Sequence, residues 1–506
     1  MPDKFIERRI VTGFIVSTEY VSLLYNKWDP RYIRSGTATM LIEWCLDYYA
    51  RYSKAPGRDI EGIFSAKLKE GRIQKDRVAD IEDILESLSD EYDREQFNVS
   101  YLVDQTEAYF TDQNLRNFAD DIRNAIDGGN TAEAERVAND YKPVVKGVHS
   151  AIDPFADRSR IRRAFEERAD PLVRFSKALG SFWNDQFTRD AFVALLAPEK
   201  RGKSFMLMEI AFRAIRSGCN VIFFQAGDMS ENQMLRRLCL YLARRSDQEK
   251  YCRGMFYPVL DCVENQNDSC NKDERECDFG FLKEDDDSDL TFSMLRQFHK
   301  DNPEYKPCRN CSQMRPTVWL QWSKPVHVLR WPEAYKMAKA FRKKHEKHFV
   351  LSTHASDSLS ISEIRTLLDV WEKQENIVPD VIIVDYADLL ASDPDCAFLQ
   401  PRDQVNKIWQ RLRSLSQARH CLVVTATQAD ANSYDRHVLG LSNFSEDKRK
   451  YAHVTGMYGL NQSDEEKKIG LLRINQLVVR DADFSVSNQV TVLQRLQMGR
   501  PYLGSF

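Results

Sequence analysis

One short stretch limits this chain more than any other. Residues 192–196 read Phe-Val-Ala-Leu-Leu, apolar and without alternation, and run directly into Ala197, Pro198, Glu199, Lys200, Arg201, Gly202, Lys203 and Ser204. Residues 205–212 then continue at helical spacing. Strand, Gly-Lys-Ser loop and helix, in that order, let the backbone N–H groups of a helix N-terminus cradle phosphate oxygens. In such a P-loop Lys203 reaches the outer phosphates, Ser204 holds Mg²⁺, and Gly202 lets the backbone approach closely. The strict pattern opens on glycine where Ala197 stands here. ATP and Mg²⁺ are the ligands this predicts.

A loop of this kind needs a sheet beneath it. Short apolar runs recur at 191–196, 220–225, 348–352, 381–384 and 421–425, with helical patterns between them. Runs without alternation are what strands buried on both faces look like, so a parallel α/β sheet is expected. Residues 471–480 and 490–497 alternate more and flank a turn-rich segment at 481–488, as an antiparallel edge hairpin does. Earlier the spacing is helical, at 38–49 and 99–126, with breaks at Pro56-Gly57 and 127–130. At 506 residues the chain exceeds one core. The expected class is α+β multidomain: a helical N-terminal collar or docking domain at 1–145, a linker helix at 146–174, and an α/β nucleotide-binding domain at 175–506.

Charge and composition bound the partners. A net charge of −4 gives no global pull toward nucleic acid, so any such contact must be a local basic patch. No apolar run approaches the roughly 18–20 residues that span a bilayer, and the N-terminus has no signal-peptide core. A cytoplasmic protein without a membrane partner is expected. Its eleven cysteines then read as metal ligands or core thiols, not disulfides.

Two further strand ends carry acids. Residues 381–385 close on Asp385, placed for the Mg²⁺ shell. Residues 221–225 lead to Asp228, placed to polarise an attacking water, just before a Ser230/Gln233 capping box.

Together these segments resemble the DnaB family of hexameric replicative DNA helicases, with a RecA-like ATPase core, over most of the chain after residue 175. Residues 224–230 resemble that family's strand with an acid-Met-Ser ending, and 381–390 its Asp-Tyr-x-x-Leu signature. Gln428, after 421–427, matches the residue that senses the γ-phosphate, and Arg480 falls at the place of an arginine finger, with Arg473 the alternative. Asp228 stands where the family usually has Glu, and Val478 where it commonly has Lys. Residues 459–462 with 465–467 are similar to phage-encoded members, which places the protein in the host cytoplasm. The resemblance implies a homohexameric ring with ATP between subunits, 5′-to-3′ translocation on single-stranded DNA, and a primase contact. DNA contacts are expected from Arg402 and Lys407 after the Asp385 strand, and from the basic run 447–450, with Lys448 and Arg449, after the Gln428 strand.

Residues 252–325 form an insertion that the motor does not need. It holds Cys262, Cys270, Cys277, Cys308 and Cys311. A Cys-x₂-Cys pair with two earlier cysteines is a tetrahedral arrangement, so a structural Zn²⁺ on Cys262, Cys270, Cys308 and Cys311 is expected, Cys277 being spare. Competing readings are a RecA-type recombinase or packaging ATPase, and a non-catalytic ATP-binding adaptor that loads a helicase or recruits a primase.

Overall fold

The computed structural model describes the chain except residues 1, 72, 74, 88–97, 140–143, 145–160, 162–164, 166–169, 228, 272–274, 283–289, 310, 312–314, 431–432, 435, 445–446 and 481–484. It divides into two compact units, Met1–Arg168 and Ala169–Phe506. The predicted linker, 146–174, lies largely outside the described residues.

The first unit is helical throughout its described elements. Its longest helix, Val99–Asp127, is capped by the Asn98 side chain, which accepts from the Tyr101 N–H. Phe14, Tyr20, Leu41 and Phe110 share one apolar core. A buried carboxylate ties it together: Glu7 accepts from the Arg34 and Ser35 backbone N–H groups at 2.7 and 3.1 Å and from the Tyr109 hydroxyl at 2.7 Å.

The second unit is built on a nine-stranded sheet. Its strands are β1 (Phe192–Ala197), β2 (Val221–Ala226), β5 (Phe349–His354), β6 (Val381–Asp385), β7 (Leu422–Gln428), β8 (Gly456–Asn461), β9 (Leu471–Val479), β10 (Gln489–Arg495) and β11 (Arg500–Ser505), numbered around a separate hairpin of β3 (Phe256–Cys262) and β4 (Pro316–Trp322). The order is β11-β10-β9-β8-β1-β7-β6-β2-β5. From β8 to β5 every pairing is parallel, and from β8 to β11 every pairing is antiparallel. Apolar residues cover both faces. Val193, Leu195, Phe223 and Ile383 face the helix Lys203–Arg216, whereas Leu196, Phe224 and Val384 pack with Leu368 and Trp409 of the helices Ile361–Glu375 and Pro401–Ala418. The predicted C-terminal hairpin is present as β9 and β10, but β11 pairs outside it and makes the edge.

The zinc expectation finds no support in the insertion. Among the described residues no group of three or more His, Cys, Asp or Glu side chains is gathered to hold a metal. The Cys262 thiol donates to Glu264 at 2.7 Å, and Cys277 packs with Val259, Tyr305 and Trp319. The charge that organises the segment is Asp261, fully buried at the end of β3. It accepts from the Cys262 and Cys308 backbone N–H groups at 2.8 Å each, from the Gln266 amide at 2.9 Å and from the Tyr305 hydroxyl at 2.7 Å. A carboxylate with this many donors holds the described part of the loop together. The acidic run at 284–289 lies outside the described residues.

Candidate functional site

The loop after β1 turns into the helix Lys203–Arg216 through Gly202, whose φ of +87° is the left-handed conformation glycine tolerates. A Cβ at Gly202 would meet nothing within 4 Å, so the backbone there borders open space. Ala197 keeps its strand geometry and stays buried, which is why the loop manages without the first glycine. Its carbonyl accepts from Lys203 Nζ at 2.9 Å, and the Pro198 carbonyl accepts at 3.3 Å. The lysine is thus folded over its own loop, 5.5 Å from the ring centroid of Tyr386.

In front of the loop lies a cavity of about 420 Å³, lined by Glu199, Lys200, Gly202, Lys203, Ser204, Phe205, Arg237, Tyr386, Gln428, Lys467 and Leu496. That is a size for a small-molecule ligand. Four of the lining residues are cations and one is a carboxylate, so the cavity suits a polyanion. Arg237 stacks 4.7 Å from the Phe205 ring centroid, and with Leu496 this gives the cavity an apolar side beside its charged one. Arg237 did not stand out in the sequence, because it reaches the loop only through the fold, and Lys467 did so only within the segment 465–467.

Asp385 ends β6 fully buried, and Gln428 ends β7. Strand alternation puts both on the face toward the helix Lys203–Arg216. Gln428 Nε2 donates to Glu199 Oε1 at 3.1 Å, and the Tyr386 hydroxyl donates to Gln428 Oε1 at 3.5 Å. Gln225, next to last in β2, lies on the same face, in register with Asp385. It is 0% exposed, and neither of its amide atoms meets a hydrogen-bond partner among the described residues. Asp228 lies outside the described residues. The cationic lining, the open cradle at Gly202 and the orphaned amide of Gln225 fit a nucleoside triphosphate with its Mg²⁺ at this end of the sheet.

Behind Gln428 sits a pair that the sequence did not disclose. Asp388 accepts from Thr427 Oγ1 at 2.6 Å and from the Gln428 N–H at 3.2 Å with one oxygen, and from Lys450 Nζ at 2.8 Å with the other. Lys450 is 0% exposed and Asp388 only 6%. Residue 450, at the end of the basic run expected to reach DNA, therefore points inward.

The remaining basic candidates divide. Arg449 is held by Asp447 and Asp403 at 2.8 and 2.7 Å, and Arg402 lies 3.8 Å from Asp447. Those two guanidinium groups fix a loop around a buried carboxylate. Lys448 is exposed, and Lys407 contacts Gln410 at 3.1 Å. Arg473 is engaged by Glu466 and His437. Arg480 is exposed, its backbone N–H donating to Thr455 at 2.9 Å, and Thr455 in turn donates to Phe192, the first residue of β1. The loop that leads to Gly202 and Lys203 leaves β1 at the other end, roughly 17 Å away at about 3.3 Å per residue.

No known family's model matches the chain, and no curated protein matches it. Many solved structures resemble it, among them the following two. One, described as an ATPase domain, has 12% identity and a TM-score of 0.43, covering 67% of this chain and 95% of that one. The other, described as the structure of a DnaB-like replicative helicase and its interactions with primase, has 12% identity and a TM-score of 0.45, covering 98% of each chain. Likeness at this level does not decide function, which lives in the site. No helix among the described residues is long and apolar enough to cross a membrane.

Proposed function

We propose that this chain is an ATP-hydrolysing DNA helicase of the DnaB-like kind, working as a ring on single-stranded DNA in the cytoplasm. The observation that carries the reading is the convergence of Lys203, Asp385, Gln428 and the orphaned Gln225 at one end of four adjoining strands, β1, β7, β6 and β2. On this reading the loop N–H groups and Lys203 bind the phosphates, and Gln428 reports on the outermost one through its contact with Glu199. Ser204 and Asp385 would hold Mg²⁺, which neutralises phosphate charge when bound. Gln225 orients water at the reacting end, and Asp228, three residues on in the chain, polarises it.

Arg480 cannot serve its own site from the far end of the sheet, so as a finger it acts on a neighbour's. That geometry supports an oligomer, with six subunits, 5′-to-3′ movement and a primase contact as the finer proposals. On DNA, exposed Lys448 and Lys407 supply phosphate contacts, and Phe398, 83% exposed between the Asp385 strand and Arg402, offers a ring for a base to stack on.

The test is steady-state ATP hydrolysis with and without single-stranded DNA. Turnover stimulated by DNA, and reduced about 100-fold or more in Lys203→Ala, is expected. ATP binding with no turnover under either condition would move the adaptor reading to first place.

A further inference from the structure

The strongest unassigned feature lies at the opposite end of the same helix. Glu209, Arg213 and Arg216 share one face of Lys203–Arg216 and line a second cavity, of about 90 Å³, with Tyr241, Arg244, Arg500 and Tyr502. Three separate elements supply its arginines. Arg244 is the left-handed C-cap of the helix Glu231–Ala243, and Arg500 opens β11. Gly499 makes their approach possible: its φ is +63°, and a Cβ there would fall 2.4 Å from the Leu240 carbonyl carbon. Only a glycine lets the β10–β11 turn press on that helix end.

The charges do not balance. Glu209 pairs with Arg213 at 2.6 Å, and Arg213 is also flanked by the rings of Phe175 and Tyr502, 4.1 and 4.5 Å from their centroids. Arg216 donates to the Tyr241 hydroxyl at 2.9 Å. Among the described residues no carboxylate forms an ion pair with Arg216, Arg244 or Arg500. The negative ends of the two helix dipoles account for Arg213, Arg216 and Arg244 but not for Arg500. Burial and the neighbouring Arg244 both push the Arg500 guanidinium below its ordinary value, a cost that a bound anion removes.

We propose that this cavity is a binding site for one phosphate group. The cavity is small, about a fifth of the volume of the one beside Gly202, a size for a tetrahedral oxyanion. Planar guanidinium forks from several directions match phosphate oxygens better than they match a single carboxylate. It lies roughly 15 Å from Lys203, at about 1.5 Å per residue along the shared helix. The phosphate belongs either to a single-stranded nucleic-acid backbone or to free inorganic phosphate.

Inorganic phosphate titrated by calorimetry into the full chain tests this, with Lys203→Ala removing the loop as a competing binder. Wild type and Lys203→Ala are expected to share one equivalent of phosphate that Arg500→Gln and Arg244→Gln both lack. Arg244 is an exposed cap residue, so its variant decides the matter if Arg500→Gln misfolds by circular dichroism. Undiminished phosphate binding in the folded variants overturns the proposal, as does binding of an oligoglutamate peptide where phosphate does not bind. Titration with a single-stranded oligonucleotide at several salt concentrations then separates the sources. A log–log salt slope reduced by about 1 in Arg244→Gln identifies a backbone phosphate, and an unchanged slope identifies the free ion.

Discussion

Gln225 is a polar side chain in a costly place, sealed among strands with no partner for its amide among the described residues. An unsatisfied buried polar group costs about 1–3 kcal/mol, so Gln225→Met should raise stability by about 1 kcal/mol. If the amide serves the reacting water, the same variant loses ATP turnover while it gains resistance to urea. Unchanged turnover in a stabilised variant would make Gln225 a mere packing fault. This residue was not legible in the sequence. A glutamine at the close of an apolar run carries no signal of its own, and only its register beside Asp385 shows what it faces. Lys203 and Asp385 were legible because loop and strand context announce them locally.

At the scale of elements, the Asp388–Lys450 pair ties the strand end at Gln428 to the loop before β8. Its partners are 62 residues apart, a separation at which sequence pattern carries no signal. Asp388→Asn leaves a buried lysine uncompensated and should cost about 3–5 kcal/mol in chemical denaturation. The double variant Asp388→Leu/Lys450→Met should recover most of that stability yet lose DNA-stimulated turnover, because nothing then couples the loop to Gln428. In the insertion, burial alone would raise Glu264, but hydrogen bonds from Cys262 and Arg315 outweigh it and lower it to about 2. A depressed carboxylate contributes stability above its ordinary value, lost as pH falls toward the folded one. Fluorescence of the tryptophans at β3–β4, followed between about pH 4.5 and 2, should show a transition that Glu264→Gln flattens. The parallel strands were legible as apolar runs, each to within a few residues. β8 was not: Gly456 and Gly459 break its pattern, although it lies between β1 and β9. The spacing of the insertion's cysteines fits a metal, whereas buried Asp261, which organises the segment, carried no signal in the sequence.

For the whole molecule the question is what one chain lacks. Its phosphate loop and its exposed Arg480 occupy opposite ends of a single rigid sheet. Arg480→Ala is therefore expected to bind ATP as wild type does, by fluorescent-nucleotide titration, and to lose hydrolysis. Mixed with Lys203→Ala, it should regain part of that activity, since some interfaces then join an intact loop to an intact arginine. Two inactive variants that stay inactive together would place Arg480 outside the reaction. The same arrangement has a bearing on inheritance. Where each subunit completes its neighbour, a faulty copy spoils an interface it does not own, so a damaged chain does more harm than a missing one. Co-produced with wild type, the Arg480→Ala chain would act as a dominant poison.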